Sequence, residues 1–234
     1  MNYQVDPIDH QFLSSASHEE RLSFYRKTYA HVAGAFLVFL ILEAIFLSSE
    51  AIIGLGMRIT QGYTWLIVLG LFMLVTTQAE KIVARTTDVR KQYAGFFLYI
   101  LAEAFIFVPL LYIALQILGT EVLGQAFVVT IALFAGLSAV VLITKKDFSF
   151  MRSIIVIAGL IAMGLIVAGI AFGFTLGLWF SAAMVLLAAG SILYQTSNMV
   201  HRYEKSQHVL AALGLFASFM LLLWYVIRIF LSRD

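Results

Sequence analysis

Two carboxylates lie where a carboxylate is expensive. Glu43 and Glu103 each sit inside a long apolar run of the chain. An ionisable side chain in hydrocarbon costs several kcal/mol unless it is paired or faces water, so such groups are the first pointers to an ion or proton pathway. Glu103 falls close to the middle of its run. Glu43 falls toward the far end of another, about 7 Å from the midplane at a rise of about 1.5 Å per residue, and neither can snorkel easily. A second polar patch, Gln195, Thr196, Ser197 and Asn198, closes a sixth run and faces Ser218 in a seventh. Amides and hydroxyls there can line a cation path or tie helices together, each tie being worth about 0.6 kcal/mol on average. His31, His201 and His208 all fall at run ends on one side. Clustered, they would sense pH or hold a metal, but no firm metal set is assigned.

Other chemistries have little to stand on. The chain has no Cys, which removes disulfides, thiolate ligands and cysteine nucleophiles. It has no H-E-x-x-H, no G-x-S-x-G and no pair of intramembrane aspartates, and His18-Glu19-Glu20 lacks the second histidine of a zinc helix. The expectation is a protein that is not an enzyme and has no cofactor.

The elements that must position these residues are membrane helices. Hydrophobic residues make up 62% of the chain and charged residues 12%, with a mean hydropathy of +0.97, far from a soluble domain's balance. Runs of bilayer-spanning length cover about 28–49, 63–79, 94–118, 122–143, 153–174, 177–200 and 208–231, against the roughly 20 helical residues a crossing takes. Several are apolar on every face, as from Ile154 to Phe174, which suits helices and not the alternating strands of a barrel. The fold expected is all-α, a polytopic bundle of seven transmembrane helices. Residues 1–27 would form a cytoplasmic tail with a short interfacial helix, and 28–231 the transmembrane domain.

All but Arg58, Arg228 and Arg233 of the fifteen Lys and Arg residues fall on one side of the alternating loops. The positive-inside rule makes that side cytoplasmic, with the N-terminus inside and the C-terminus outside. No cleavable signal peptide is visible, and the first run is expected to act as the targeting signal. Ser17-x-x-Glu20 has the form of a capping box, so a helix should begin near His18 and pass through Tyr25, Arg26, Lys27 and Tyr29 at the interface into the first span; residues 1–16 read as a loosely ordered tail. Gly159, Gly164, Gly169, Gly173 and Gly177 predict close packing of the fifth span on a neighbour. Pro109 predicts a kink in the third.

Two motifs carry a resemblance. Thr144-Lys145-Lys146-Asp147-Phe148-Ser149-Phe150 between spans four and five, and Arg21-x-x-x-x-Arg26-Lys27-Thr28-Tyr29 before span one, resemble the Bax inhibitor (transmembrane BAX inhibitor motif) family, and the seven-span layout matches over nearly the whole chain. The resemblance implies six helices around a central C-terminal one, a bacterial inner membrane or endoplasmic-reticulum location, and a pH-sensitive calcium leak. It also implies an aspartate pair in spans six and seven that shares a proton and latches the cytoplasmic gate. Here Gln195 follows Ile192-Leu193-Tyr194 and Ser218 takes the other position, so both carboxylates are missing and that sensor cannot titrate. The function expected is therefore a cation (Ca²⁺) leak with altered or absent di-aspartyl pH sensing, its ion pathway drawn from Glu103, Glu43, Gln195 and Ser218. The alternative is a non-conducting regulatory or scaffold protein that binds other membrane proteins. The lipid bilayer is the certain partner on either reading, Ca²⁺ and membrane proteins are further ones, and nucleic acid is not expected. The shortness of the loops and the lack of Cys lean toward a bacterial inner membrane.

Overall fold

A computed structural model describes residues 13–86 and 88–232. Among them the regular structure is helical, and six helices are long and apolar enough to cross a bilayer. Helix α1 (His18–Leu47) starts on the expected box: the Glu20 amide donates to Ser17 Oγ at 3.3 Å, and the Ser17 amide donates to the Glu20 carboxylate at 2.8 Å. Two of the donors that every helix start leaves open are thereby satisfied, and α1 runs unbroken into its span. A short helix α2 (Glu50–Ile59), capped by Ser49, fills a connection that shows no helical signal of spanning length. Its Gly56 lies against Val108 and Pro109.

Helices α3 (Thr64–Arg85), α4 (Val89–Thr144), α5 (Met151–Phe172), α6 (Gly177–His201) and α7 (His208–Leu231) complete the bundle. At 56 residues, α4 would measure about 84 Å if straight, far beyond one crossing. It is two arms, 89–118 and 120–144, broken at Gly119 with φ 72° and ψ 177°, a conformation essentially reserved for glycine. Ring contacts fix the direction of each arm. Phe96 meets Phe216 and Phe107 meets Trp224, so the first arm runs parallel to α7. Phe127 meets Phe36 and Phe134 meets Tyr29, so the second runs antiparallel to α1, which is itself parallel to α7 through Phe36–Phe219 and His31–His208. The chain thus reverses at Gly119 and makes seven crossings. Gly119 is the one residue inside α4 that leaves helical φ/ψ; Pro109, where the sequence predicts a kink, stays within it.

Helix α7 is the centre. In its most apolar stretch 72% of residues are buried, against 11–28% for the other five helices. Around it stand α1, α3, both arms of α4 and α6. Since lipid tails are as apolar as leucine, packing and not water exclusion holds such helices together, and rings supply it: Phe216, Phe219 and Trp224 meet partners at centroid distances of 5.0–6.3 Å. Helix α5 is peripheral. It leans on α6 and reaches α7 where Ala162 and Met184 pack with Tyr225. A Cβ added at Gly159, Gly164, Gly173 or Gly177 would meet nothing within 4 Å, and one at Gly169 would meet the Phe174 carbonyl at 3.1 Å in the turn that follows its own helix, so these glycines do not form the packing seam against a neighbouring helix expected of them. Gly173 ends the helix in the left-handed region instead.

The N-terminal segment also differs from expectation. Residues 1–12 lie outside the described part, but Leu13–Ser15 form a 3-10 turn, Leu13 is fully buried, and its amide donates to the Tyr203 carbonyl at 2.9 Å. Arg21 Nε holds the Leu13 carbonyl at 3.1 Å.

The reversal at Gly119 carries a prediction. Gly119→Ala places a Cβ on a strained backbone and should cost about 1–3 kcal/mol, whereas Gly124→Ala, in helical backbone with open space around it, should be neutral or slightly stabilising. Thermal unfolding of the two variants in detergent separates them.

Candidate functional site

Glu103 lies on the inner face of the first arm of α4, 6% exposed. Tyr99, one helical turn earlier, places its hydroxyl beside that carboxyl, and Tyr99 also lies within electrostatic reach of Glu80 on α3. Glu80 in turn faces Tyr203 in the connection after α6. Glu80 lies just beyond the apolar run 63–79 and so gives no sequence signal as a buried carboxylate, but α3 continues to Arg85. Glu43 stands apart on α1, 3% exposed, and neither of its oxygens has a hydrogen-bond partner. Buried polar groups are nearly always paired, so an orphaned carboxyl needs a reason. No ion pair among the described residues reaches either glutamate; the one ion pair there joins Glu20 and Lys205 at 2.8 Å.

The polar patch on α6 does not act as one group. Ser218 Oγ donates to the Gly214 carbonyl at 2.9 Å and pairs with Ser191 Oγ at 2.8 Å. Its α6 partner is therefore Ser191, one turn before Gln195, a contact that no sequence motif marks. Gln195 lies over Gly214, where an added Cβ would come within 2.9 Å of its amide. Beside it opens a cavity of about 370 Å³ lined by Glu80, Arg85, Asn198 and Tyr203. Thr196 turns the other way, toward Tyr29 and Ser138, and the hydroxyls of all three are buried without a close partner.

Ser197 belongs to a different device. Its hydroxyl accepts from the Phe148 amide at 2.9 Å and donates to Asp147 at 3.3 Å, while His201 Nε2 donates to the Lys145 carbonyl at 3.0 Å. The loop between α4 and α5 is thereby clamped on the end of α6. Asp147 also accepts from the Ser149 amide at 2.8 Å. That amide, ahead of the Ser149 and Ser197 hydroxyls, holds the carboxyl below the usual aspartate range.

The three histidines separate. His31 donates from Nδ1 to the Lys27 carbonyl at 2.7 Å and so accepts at Nε2 from the Tyr93 hydroxyl at 2.6 Å; its ring lies 5.1 Å from that of His208. His201 is engaged with Lys145 on another helix end. Among the described residues no three of His, Asp and Glu approach closely enough to hold a metal ion.

Comparison with known proteins places the chain. The family described as "Inhibitor of apoptosis-promoting Bax1" matches residues 21–234. An uncharacterised protein of Pseudomonas aeruginosa is 35% identical over 113 residues, which cover 48% of this chain and 50% of that protein. The modulator of FtsH protease YccA from Escherichia coli K12 is 31% identical over 145 residues, 61% of this chain and 63% of YccA. A Golgi anti-apoptotic protein of vaccinia virus is 26% identical over 227 residues, 93% of this chain and 88% of its own length. The chain thus spans about half the length of the first of these relatives.

The clamp on α6 predicts a pH dependence. The folded-state pKa of Asp147 is depressed, so its contribution is present above the unfolded value of 3.8 and is lost as pH falls through the lower folded one. Protection factors at 147–150, exchange rates taken relative to the intrinsic rate at each pH, should fall below about pH 4 in the wild type. In Asp147→Asn they should already be low at neutral pH.

Proposed function

The chain belongs to the Bax inhibitor family and is an integral membrane protein, and we propose that it lets cations, Ca²⁺ first among them, leak slowly through the bundle along the acidic and hydroxyl side chains packed around α7. The observation that carries this reading is the burial of Glu43 and Glu103 with no opposing cation among the described residues. A carboxyl kept in the membrane interior without a fixed counter-charge is disposed to receive a mobile one. Glu80, Tyr99 and Glu103 would form the inner file, entered from the cavity beside Gln195, and Glu43 the outer stage. Gln195 and Ser218 line the polar core as neutral groups, so any flux would be weakly gated by pH at this pair. The reading includes no catalytic step, no resident cofactor and no nucleic-acid partner. His31 and His208 supply a secondary place for proton sensing at the helix ends, whereas His201 serves the loop clamp.

The side rich in Lys and Arg is assigned to the cytoplasm by the positive-inside rule, which puts the N-terminus inside and the C-terminus outside. A bacterial inner membrane is favoured because a second Escherichia coli relative bears the name inner membrane protein YccA. A second reading, a regulator that binds other membrane proteins, draws support from the relative named as a protease modulator and from α5, whose outer face packs on nothing among the described residues.

Ca²⁺ uptake into proteoliposomes of purified protein, at two pH values, separates the readings. The leak predicts uptake above empty liposomes that falls roughly tenfold in Glu103→Gln, equivalent to about 1.4 kcal/mol. Uptake equal to empty liposomes at both pH values would replace the leak by the regulatory reading.

A further inference from the structure

His31 and His208 are held in a geometry that proton sensing alone does not require. His31, one turn after Lys27 on α1, donates from Nδ1 to the Lys27 carbonyl at 2.7 Å, and its Nε2 stands 2.6 Å from the Tyr93 hydroxyl near the start of α4. His208 opens α7 and lies within hydrogen-bonding reach of the Ser206 carbonyl. Its ring centroid is 5.1 Å from that of His31, with the ring planes inclined by 66°. Three elements far apart in sequence thus bring two imidazoles and a phenol together at one end of the bundle.

A ligating histidine normally ties one ring nitrogen to a carbonyl or carboxylate, which fixes the tautomer and leaves the other nitrogen basic. His31 has that form, with Nδ1–H committed to a backbone carbonyl and the lone pair on Nε2. The spacing agrees. Nitrogens about 2.0–2.1 Å from a tetrahedral ion set two ring centroids roughly 5.2 Å apart, against the 5.1 Å found between His31 and His208. Nε2 and the phenol oxygen, 2.6 Å apart, would separate to about 3.3 Å around such an ion, which a small side-chain rotation supplies. Tyr93 is 44% exposed, so ions and water reach the place. Among the described residues no carboxylate joins the two histidines as a third ligand, and the phenol takes that role. Lys27, a cation within electrostatic reach of His208, disfavours a bare divalent ion, and the negative charge of a phenolate offsets it.

We propose that His31 Nε2, His208 and the Tyr93 oxygen form a site for a divalent transition ion of the zinc class, with water in the fourth position. Imidazole suits such ions, whereas Ca²⁺ takes six or more oxygens. On binding, the phenol O–H bond breaks, the oxygen bonds the ion and the proton leaves to water; no electron is transferred. The ion joins α1 to the starts of α4 and α7. The site does not rest on the proposed leak, and its ion is exchangeable and has no catalytic part.

Calorimetric titration of tag-free protein in detergent with Zn²⁺, alone and in the presence of Ca²⁺, tests it. The wild type should take up one Zn²⁺ per chain and release a proton, Ca²⁺ should not displace that ion, and saturating Zn²⁺ should raise the Tm. His31→Gln and His208→Gln should each weaken Zn²⁺ at least tenfold. Tyr93→Phe keeps the ring, so it carries the test even where a histidine variant unfolds; it should weaken Zn²⁺ and abolish the proton release. His18→Gln, at a histidine outside the site, should leave the affinity unchanged. Unchanged affinity in the two histidine variants, an equal loss in the His18 control, displacement by Ca²⁺ or a wild-type Tm indifferent to Zn²⁺ overturns the site. Undiminished proton release in Tyr93→Phe overturns the phenol as its third ligand.

Discussion

The arrangement depends on a helix that touches almost no lipid. Enclosing α7 in a medium as apolar as its own side chains gains nothing from removing water, so the enclosure has to come from close contact. The sequence of α7 divides that task. Ala211, Ala212, Gly214, Ala217 and Ser218 keep the half nearer the basic loops thin, and there α6 comes close enough for Gln195 to lie on Gly214. Phe216, Phe219 and Trp224 are met edge-on by rings from α1 and both arms of α4. The reversal at Gly119 follows from the same need, because both arms must pass α7 in opposite directions to cover it.

Polar groups in this core are distributed and not paired into one centre. Ser191 and Ser218 satisfy each other, Asp147 and Ser197 fasten a loop, and His31 and Tyr93 join two helix ends. Glu43 and the hydroxyls of Tyr29, Ser138 and Thr196 are left without close partners. Satisfied groups rigidify the bundle. Unsatisfied ones keep hydrogen-bonding capacity that a buried water could take up.

Much of the fold was legible because hydrophobic length reports crossings directly. The run 208–231 coincides with α7 and the capping box with the start of α1. What stayed hidden depends on who faces whom. The break between the third and fourth crossings is a single glycine, which hydropathy cannot register, while Pro109 gives a strong local signal yet stays helical. The glycines of α5 look like a packing seam, but a seam needs a neighbour, and the chain folds α5 outward. Glu43 and Glu103 were visible as buried carboxyls from their apolar surroundings. Glu80 was not, because it sits beside Lys81 where charge normally signals the end of a span. Gln195 and Ser218 were expected to face each other; α6 and α7 meet one turn out of that register, which puts Ser191 opposite Ser218.

The order of the helices has a consequence for how the protein is made. Chains emerge from the ribosome and insert N-terminus first, and α7, the helix on which the others pack, follows all of them. Until it arrives, α1, α3, α4 and α6 lack the central surface on which all of them pack. The early helices can pair with one another, α1 and α3 against α4, but the bundle closes only when α7 enters. A nascent chain stalled before α7 would expose the aromatic faces that Phe216, Phe219 and Trp224 cover in the finished protein.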